Sequence, residues 1–190
     1  PEDPTLTATA VPVQESPTST VVPTATETPT PITGEPSVQL HVSDFDACRA
    51  RDSGAAYESP TVVSDTYPEV DGRGCVLKAQ FDTNTWGAYW FRLGPADLSG
   101  FSKLQFDMAF EKEQPSALLK VELKRSADEL SIFYLDSPPQ TWQTVTIPFA
   151  DLYAAPYGRE LSSFSSVAEL VFVVESSGGT LYLDNIRFIP

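Results

Sequence analysis

Lys103-Leu104-Gln105-Phe106-Asp107-Met108-Ala109-Phe110 is the stretch that decides the fold class. Leu104, Phe106, Met108 and Phe110 recur every second residue, interrupted by Lys103, Gln105, Asp107 and Ala109. Successive side chains of a strand point to opposite faces, so this stretch buries one face as a strand, whereas a helix would scatter the same residues around its axis. Working outward, Leu119, Val121 and Leu123 alternate in the same way with Lys120, Glu122 and Lys124. Further strands are predicted at 39–45, 74–82, 87–93, 129–135, 142–149, 168–175 and 180–189. Between them stand Gly94-Pro95, Pro115, Pro138-Pro139, Pro156 with Gly158, and Gly178-Gly179, all residues that interrupt regular structure. The last pair predicts a tight hairpin between the final two strands. Val171-Phe172-Val173-Val174 is apolar on both faces, which marks a central strand. Helix-like stretches are confined to turns near 96–99, 149–154 and 162–166, too short to carry a parallel crossover. About nine antiparallel strands then predict an all-β two-sheet sandwich, a jelly roll.

That domain occupies residues 38–190; residues 1–37 are of another kind. Residues 1–36 hold ten Thr, eight Pro, two Ser and five acidic residues, with no Lys, Arg or aromatic side chain. Such a segment has too little apolar surface to offset its ordering entropy, so a disordered, extended stalk is expected. Thr28-Pro29-Thr30-Pro31 is typical of linkers and of O-glycosylated stalks. Within it, Leu6, Ala8 and Ala10 alternate with Thr5, Thr7 and Thr9 as far as Pro12, a segment able to add as a strand to a neighbouring copy.

The net charge is −14. An acidic surface repels phosphate backbones and anionic lipid, which argues against nucleic-acid and membrane-surface partners. No apolar run approaches the ~20 residues of a spanning helix, so membrane insertion is not expected. A mature secreted or cell-surface protein, its signal peptide removed, is the expected setting. Cys48 and Cys75, 27 positions apart, are an even pair, which favours a disulfide in such a compartment over two buried thiols.

Four phrases carry a family resemblance: DLSGFSKLQFDM (97–108), TWQTVTIPFADL (141–152), LSSFSSVAELVFVV (161–174) and GTLYLDNIRFIP (179–190). In order and spacing they resemble extracellular carbohydrate-binding modules with the galactose-binding-like jelly-roll fold. A similar pattern occurs in domains related to the complex I intermediate-associated protein. The resemblance covers about 45–190 and implies a non-catalytic protein whose partner is a polysaccharide or other glycan. It also implies a structural calcium tying the first strand to the last. Asp44 and Asp46, two apart in the first predicted strand, and Asp184 in the last are the metal candidates.

Sugar recognition needs a flat ring to stack on a pyranose face, with planar polar groups beside it to bond the hydroxyls. In the strand Gly87–Leu93, Tyr89, Phe91 and Leu93 share the face assigned to the core, and Trp90 and Arg92 share the other. Gln105, Asp107, Lys120 and Glu122 are the outward residues of the strands expected alongside, so the predicted glycan site is Trp90, Arg92, Gln105, Asp107 and Glu122. Tyr57, Tyr67, Tyr153 and Tyr157 are expected to rim it, and Trp142 to be structural. Nothing supports catalysis: there is no nucleophile elbow, phosphate-cradling loop or zinc spacing, and the single histidine, His41, has no triad around it. Two functional readings follow. One is a non-catalytic glycan-binding module on a stalk. The alternative is a structural subunit of an extracellular assembly or filament, joined to copies of itself through residues 1–36.

Overall fold

The structure is a computed structural model that describes residues 39–57, 62–70, 72–82, 85–112 and 116–190, without the side chains of Tyr57 and Val62. The stalk and its strand-adding segment lie outside the described residues. The strands are β1 (Leu40–Ser43), β2 (Ser53–Tyr57), β3 (Val62–Thr66), β4 (Glu69–Val70), β5 (Gly74–Cys75), β6 (Leu77–Asp82) and β7 (Trp86–Ala96). They continue with β8 (Lys103–Lys112), β9 (Leu118–Lys124), β10 (Leu130–Leu135), β11 (Gln143–Pro148), β12 (Tyr153–Ala154), β13 (Val167–Glu175) and β14 (Gly179–Ile189). One 3-10 turn, Phe149–Asp151, is the only helical element among the described residues.

Two antiparallel sheets face each other. The first runs β11-β8-β14-β6-β3; the second runs β12-β10-β9-β13-β7-β2. β8 flanks β14 along its length, while β6 pairs with its Gly179–Leu183 half and β1 with Ile186–Phe188. First and last strands therefore meet, as the family resemblance implies.

The core lies between the sheets, built from the alternations read above. Leu104, Phe106, Met108 and Phe110 of β8 face Leu119, Val121 and Leu123 of β9, all essentially inaccessible to solvent. Tyr89 and Phe91 of β7 join them, with Phe91 and Phe106 both edge-on to Phe172 of β13. Edge-to-face contacts suit the ring quadrupoles and add to the gain from burial. β13 sits between β9 and β7, in keeping with its apolar character on both faces.

Two expectations change. Gly178-Gly179 does not close a hairpin, because β13 and β14 belong to opposite sheets and the pair carries the chain across the sandwich. Glycine is required at 179 by space: a Cβ there would stand 2.7 Å from the Glu111 carbonyl oxygen and 2.9 Å from the Phe110 ring. β2 and β3 occupy a region read as loop, because Ser53–Tyr57 and Val62–Thr66 have small or polar residues where alternation would show.

Candidate functional site

The outward face of the second sheet carries a groove of about 440 Å³, within the usual range for ligand pockets. Strand register shows how it is built. Val171 of β13 pairs with Trp90 of β7 on one side and Glu122 of β9 on the other; Val173 pairs with Ala88 and Lys120. Directly paired residues share a face, so each row runs from small or aromatic side chains on β7 to long polar ones on β9. Ala88, Val171 and Val173 form an apolar floor separate from the main core.

Trp86 and Trp90 make the wall on the β7 side. Trp90 is half-buried because its indole lies flat over Gly54 of β2, where a Cβ would come within 2.9 Å of the ring. Arg92 holds its guanidinium 5.3 Å from the centre of the same ring.

The opposite wall is polar at its foot and aromatic at its rim. Lys120 Nζ donates to Glu175 Oε1 at 2.5 Å and to the Tyr157 hydroxyl at 2.8 Å, and stands 3.1 Å from Glu122 Oε1. Tyr157 donates in turn to Glu122 Oε1 at 2.5 Å, and Tyr134 to Glu175 Oε2 at 3.1 Å. Lys120 is only 3% exposed. Burial alone would lower its pKa, but the hydrogen bonds to Glu175 and Tyr157 and the Glu122 charge outweigh it and hold the ammonium above the ordinary lysine range. Burial and the bond to Glu122 push the Tyr157 hydroxyl up to about 12, against the opposing pull of Lys120.

Tyr157 reaches the groove because its loop is pinned across β10. The loop carbonyl of Arg159 accepts from Leu130 N at 2.8 Å, and Ala155 packs on Leu130 and Ile132. Gly158 lies so close to the Leu130 side chain that a Cβ there would crowd its Cδ2 and the leucine would have to shift.

Of the predicted glycan residues, Trp90, Arg92 and Glu122 are brought together on this face. Gln105 and Asp107 are not, and their placement beside Trp90 is corrected here. β8 is central in the first sheet, so both residues point from the far side of the sandwich. There Gln105 accepts from Arg187 Nε at 2.9 Å and donates to Thr146 at 3.1 Å. Asp107 accepts from Arg73 at 3.0 Å, Thr144 at 2.5 Å and Asn185 at 3.1 Å. Burial would raise Asp107, but these three bonds prevail and hold its carboxyl below the usual range.

Tyr157 rims the groove, and Tyr153 shares the face of its partner Ile132. Tyr67 does not, since its hydroxyl turns to Asp65 and Tyr89; the Tyr57 side chain lies outside the described residues. Trp142 stands on the far sheet with the Arg73 guanidinium 4.2 Å from its ring centre. Sequence reading missed Trp86, Glu169 and Glu175 as groove residues. Trp86 lies one residue before a predicted strand and Glu175 at the end of another, and the alternation that placed Trp90 extends to all three.

The calcium trio does not assemble. β1 ends at Ser43, so Asp44 and Asp46 lie in a turn, where Asp46 N bonds Asp44 Oδ1 at 3.2 Å, rather than on one strand face. Asp184 is buried at the bulge of β14, facing Arg73 at 3.5 Å and Asn185. Desolvation raises its pKa. The cation beside it is thus the protein's own guanidinium, and these residues do not fit a calcium site. Among the described residues, the one group of metal-ligand atoms held close together is Cys48, Glu69 and Cys75, whose sulfurs are joined as a disulfide with Cα atoms 5.0 Å apart.

No protein-family model and no curated protein matches the chain. Solved structures do. The family 11 carbohydrate-binding module of a cellulosomal cellulase of Clostridium thermocellum superposes with a TM-score of 0.64 at 17% identity, over 82% of this chain and 96% of that one. The family 11 module from the same organism in complex with a β-1,3-1,4-mixed-linked tetrasaccharide gives 0.62 at 18%, over 80% and 95%. A family 30 carbohydrate-binding module gives 0.57 at 21%, over 80% and 98%. Residues 39–190 thus have the jelly-roll β-sandwich fold of these carbohydrate-binding modules.

Proposed function

We propose that the domain is a non-catalytic carbohydrate-binding module that takes a glycan chain along β13, between the Trp86–Trp90 wall and the Tyr157 wall. One observation carries this reading. Of the five large apolar side chains exposed among the described residues, Trp86, Leu118, Tyr153 and Tyr157 all belong to this one sheet face, and Leu40 alone lies elsewhere. Exposed apolar groups gathered in this way mark an interaction site. Rings standing on both sides of the narrow apolar floor of Ala88, Val171 and Val173 suit the faces of a pyranose chain better than a flat protein surface. The bound tetrasaccharide of the family 11 module supports an oligosaccharide ligand.

Catalysis is not part of the reading. A glycosidase sets two carboxyl groups facing each other across the scissile bond. Here Glu122 and Glu175 both turn to the same Lys120 ammonium. Secretion fits the Cys48–Cys75 bridge, since disulfides persist in oxidising compartments. O-glycosylation of the Thr/Pro-rich residues 1–37 belongs to the same reading. The assembly reading rests on residues 1–36, outside the described residues.

Affinity electrophoresis of the full chain through a panel of soluble polysaccharides tests the proposal. Trp90→Ala should weaken binding to the retarding polymer by about tenfold or more, some 1.4 kcal/mol, while the melting temperature stays within a few degrees. Equal mobility of wild type and Trp90→Ala in every retarding gel would refute the groove as the binding site.

A further inference from the structure

The two ends of the groove differ in how their polar groups are spent. At the Lys120 end they satisfy one another: Lys120, Glu175, Tyr134, Tyr157 and Glu122 Oε1 form a closed set of short contacts. At the other end Glu169 of β13 stands directly between Arg92 of β7 and Lys124 of β9. Direct cross-strand neighbours have Cβ atoms about 4.5–5.5 Å apart, so the three side chains form one row across the groove. Lys124 inclines to Glu122 Oε2 at 3.6 Å, and the Arg92 guanidinium lies over Trp90. Among the described residues, no hydrogen bond or ion pair engages the Glu169 carboxylate, although it is half-buried and lines the groove. No acceptor engages the Arg92 guanidinium either.

We propose that Glu169 is the specificity-determining residue of the groove, accepting hydrogen bonds from adjacent hydroxyls of the sugar stacked on Trp90 and turning away chains that carry acidic groups. This rests on the sugar-binding reading above and names the ligand class: an uncharged glycan with free neighbouring hydroxyls. A carboxylate accepts on both oxygens and donates nothing, so it complements a pair of hydroxyl donors. Left without a protein partner, it can bond a ligand without first breaking a bond of its own. Glu169 stands between Arg92 and Lys124, so a ligand carboxylate drawn to either cation would also meet the like charge of Glu169, in a partly desolvated site where repulsion is screened less than in bulk water. Lys120, saturated by its neighbours, is a strut of the wall and does not read the ligand.

The test uses the full chain and two probes: a soluble mixed-linkage β-glucan, and the same glucan carboxymethylated. Titrations run at physiological ionic strength, where the Debye length of about 8 Å screens the net charge of the molecule. Wild type should prefer the neutral polymer by about tenfold or more, the scale of a lost charge-assisted hydrogen bond plus repulsion. Glu169→Gln should weaken binding to the neutral polymer by about tenfold and shrink the preference to less than about threefold. Its melting temperature should match wild type. Glu111→Gln on the far sheet removes the same unit of charge and should change neither affinity. Should Glu169→Gln leave both affinities and their ratio unchanged while Trp90→Ala abolishes binding, this inference falls alone. A wild type that binds neither this glucan nor any polymer of the panel overturns the sugar-binding reading and this inference with it.

Discussion

Lys120 shows why alternation alone misjudges a single residue. It sits at an outward position of β9 and reads as one more solvated charge, yet it is as buried as the core. The cause is tertiary: the loop carrying Tyr157 folds over the sheet, and Glu122 and Glu175 supply the charges that make burial tolerable. An ammonium so placed makes a definite prediction. Lys120→Met removes the cation and leaves two carboxylates side by side, one of them almost fully buried, and breaking a buried pair in this way costs about 3–5 kcal/mol. Chemical denaturation should show that loss, and a change below about 1 kcal/mol would mean that solvent reaches the pair freely. Glu122 was legible as a groove residue from the outward alternation of β9. Gln105 and Asp107 were placed by the same logic applied to the wrong neighbour, because their side is readable from sequence and their sheet is not.

Elements declared themselves in proportion to the contrast between their faces. β7 carries Tyr89 and Phe91 inward with Trp90 and Arg92 outward, as read, although the strand starts at Trp86 and runs on through Gly94-Pro95, read as a break, to Ala96. β2 carries Gly54, Ala55 and Ala56, too small to show a pattern, and it passed for loop although it supports the aromatic wall of the groove. The smallness has a use, since Gly54 lets the Trp90 indole lie flat on the neighbouring strand. Gly54→Ala should therefore act on binding more than on folding. Its Cβ would come within 2.9 Å of the indole, so the ring must tilt into the groove. Meanwhile an edge strand loses no ladder bond, and the reduced freedom of the unfolded chain offsets part of the strain. The expected result is a several-fold loss of affinity for the ligand that Trp90 binds, with stability within about 1 kcal/mol of wild type. An affinity equal to wild type, with tryptophan fluorescence unmoved, would show that the indole has room to spare.

At the scale of the whole molecule, the two-sheet sandwich was legible from strand count, short turns and the lack of crossover helices. Which strands share a sheet was not, as the passage of the chain from β13 to β14 across the sandwich makes plain. Sequence neighbours in a jelly roll often lie in opposite sheets, and a glycine pair looks the same at a hairpin as at a crossing. The weakest part of this architecture is its beginning. Residues 40–75 supply the short β1, the outermost strands β2 and β3, and the two-residue strands β4 and β5, so few ladder bonds hold them. Cys48 and Cys75 close this segment on itself across 27 positions. Constraining an unfolded loop of that length is worth roughly 3–4 kcal/mol in the chain-entropy model. For a domain of this size each kcal/mol shifts melting by about 2–4 °C, so Cys48→Ala with Cys75→Ala should lower the transition by roughly 6–16 °C. Neither cysteine and no residue of β4 or β5 lines the groove, and glycan affinity below the new transition should stay within about twofold of wild type. Calorimetry of the double variant beside the oxidised parent decides the point. A fall of less than about 3 °C would show that this segment is held by the packing of its Phe45 and Tyr67 against the main core and not by the bridge.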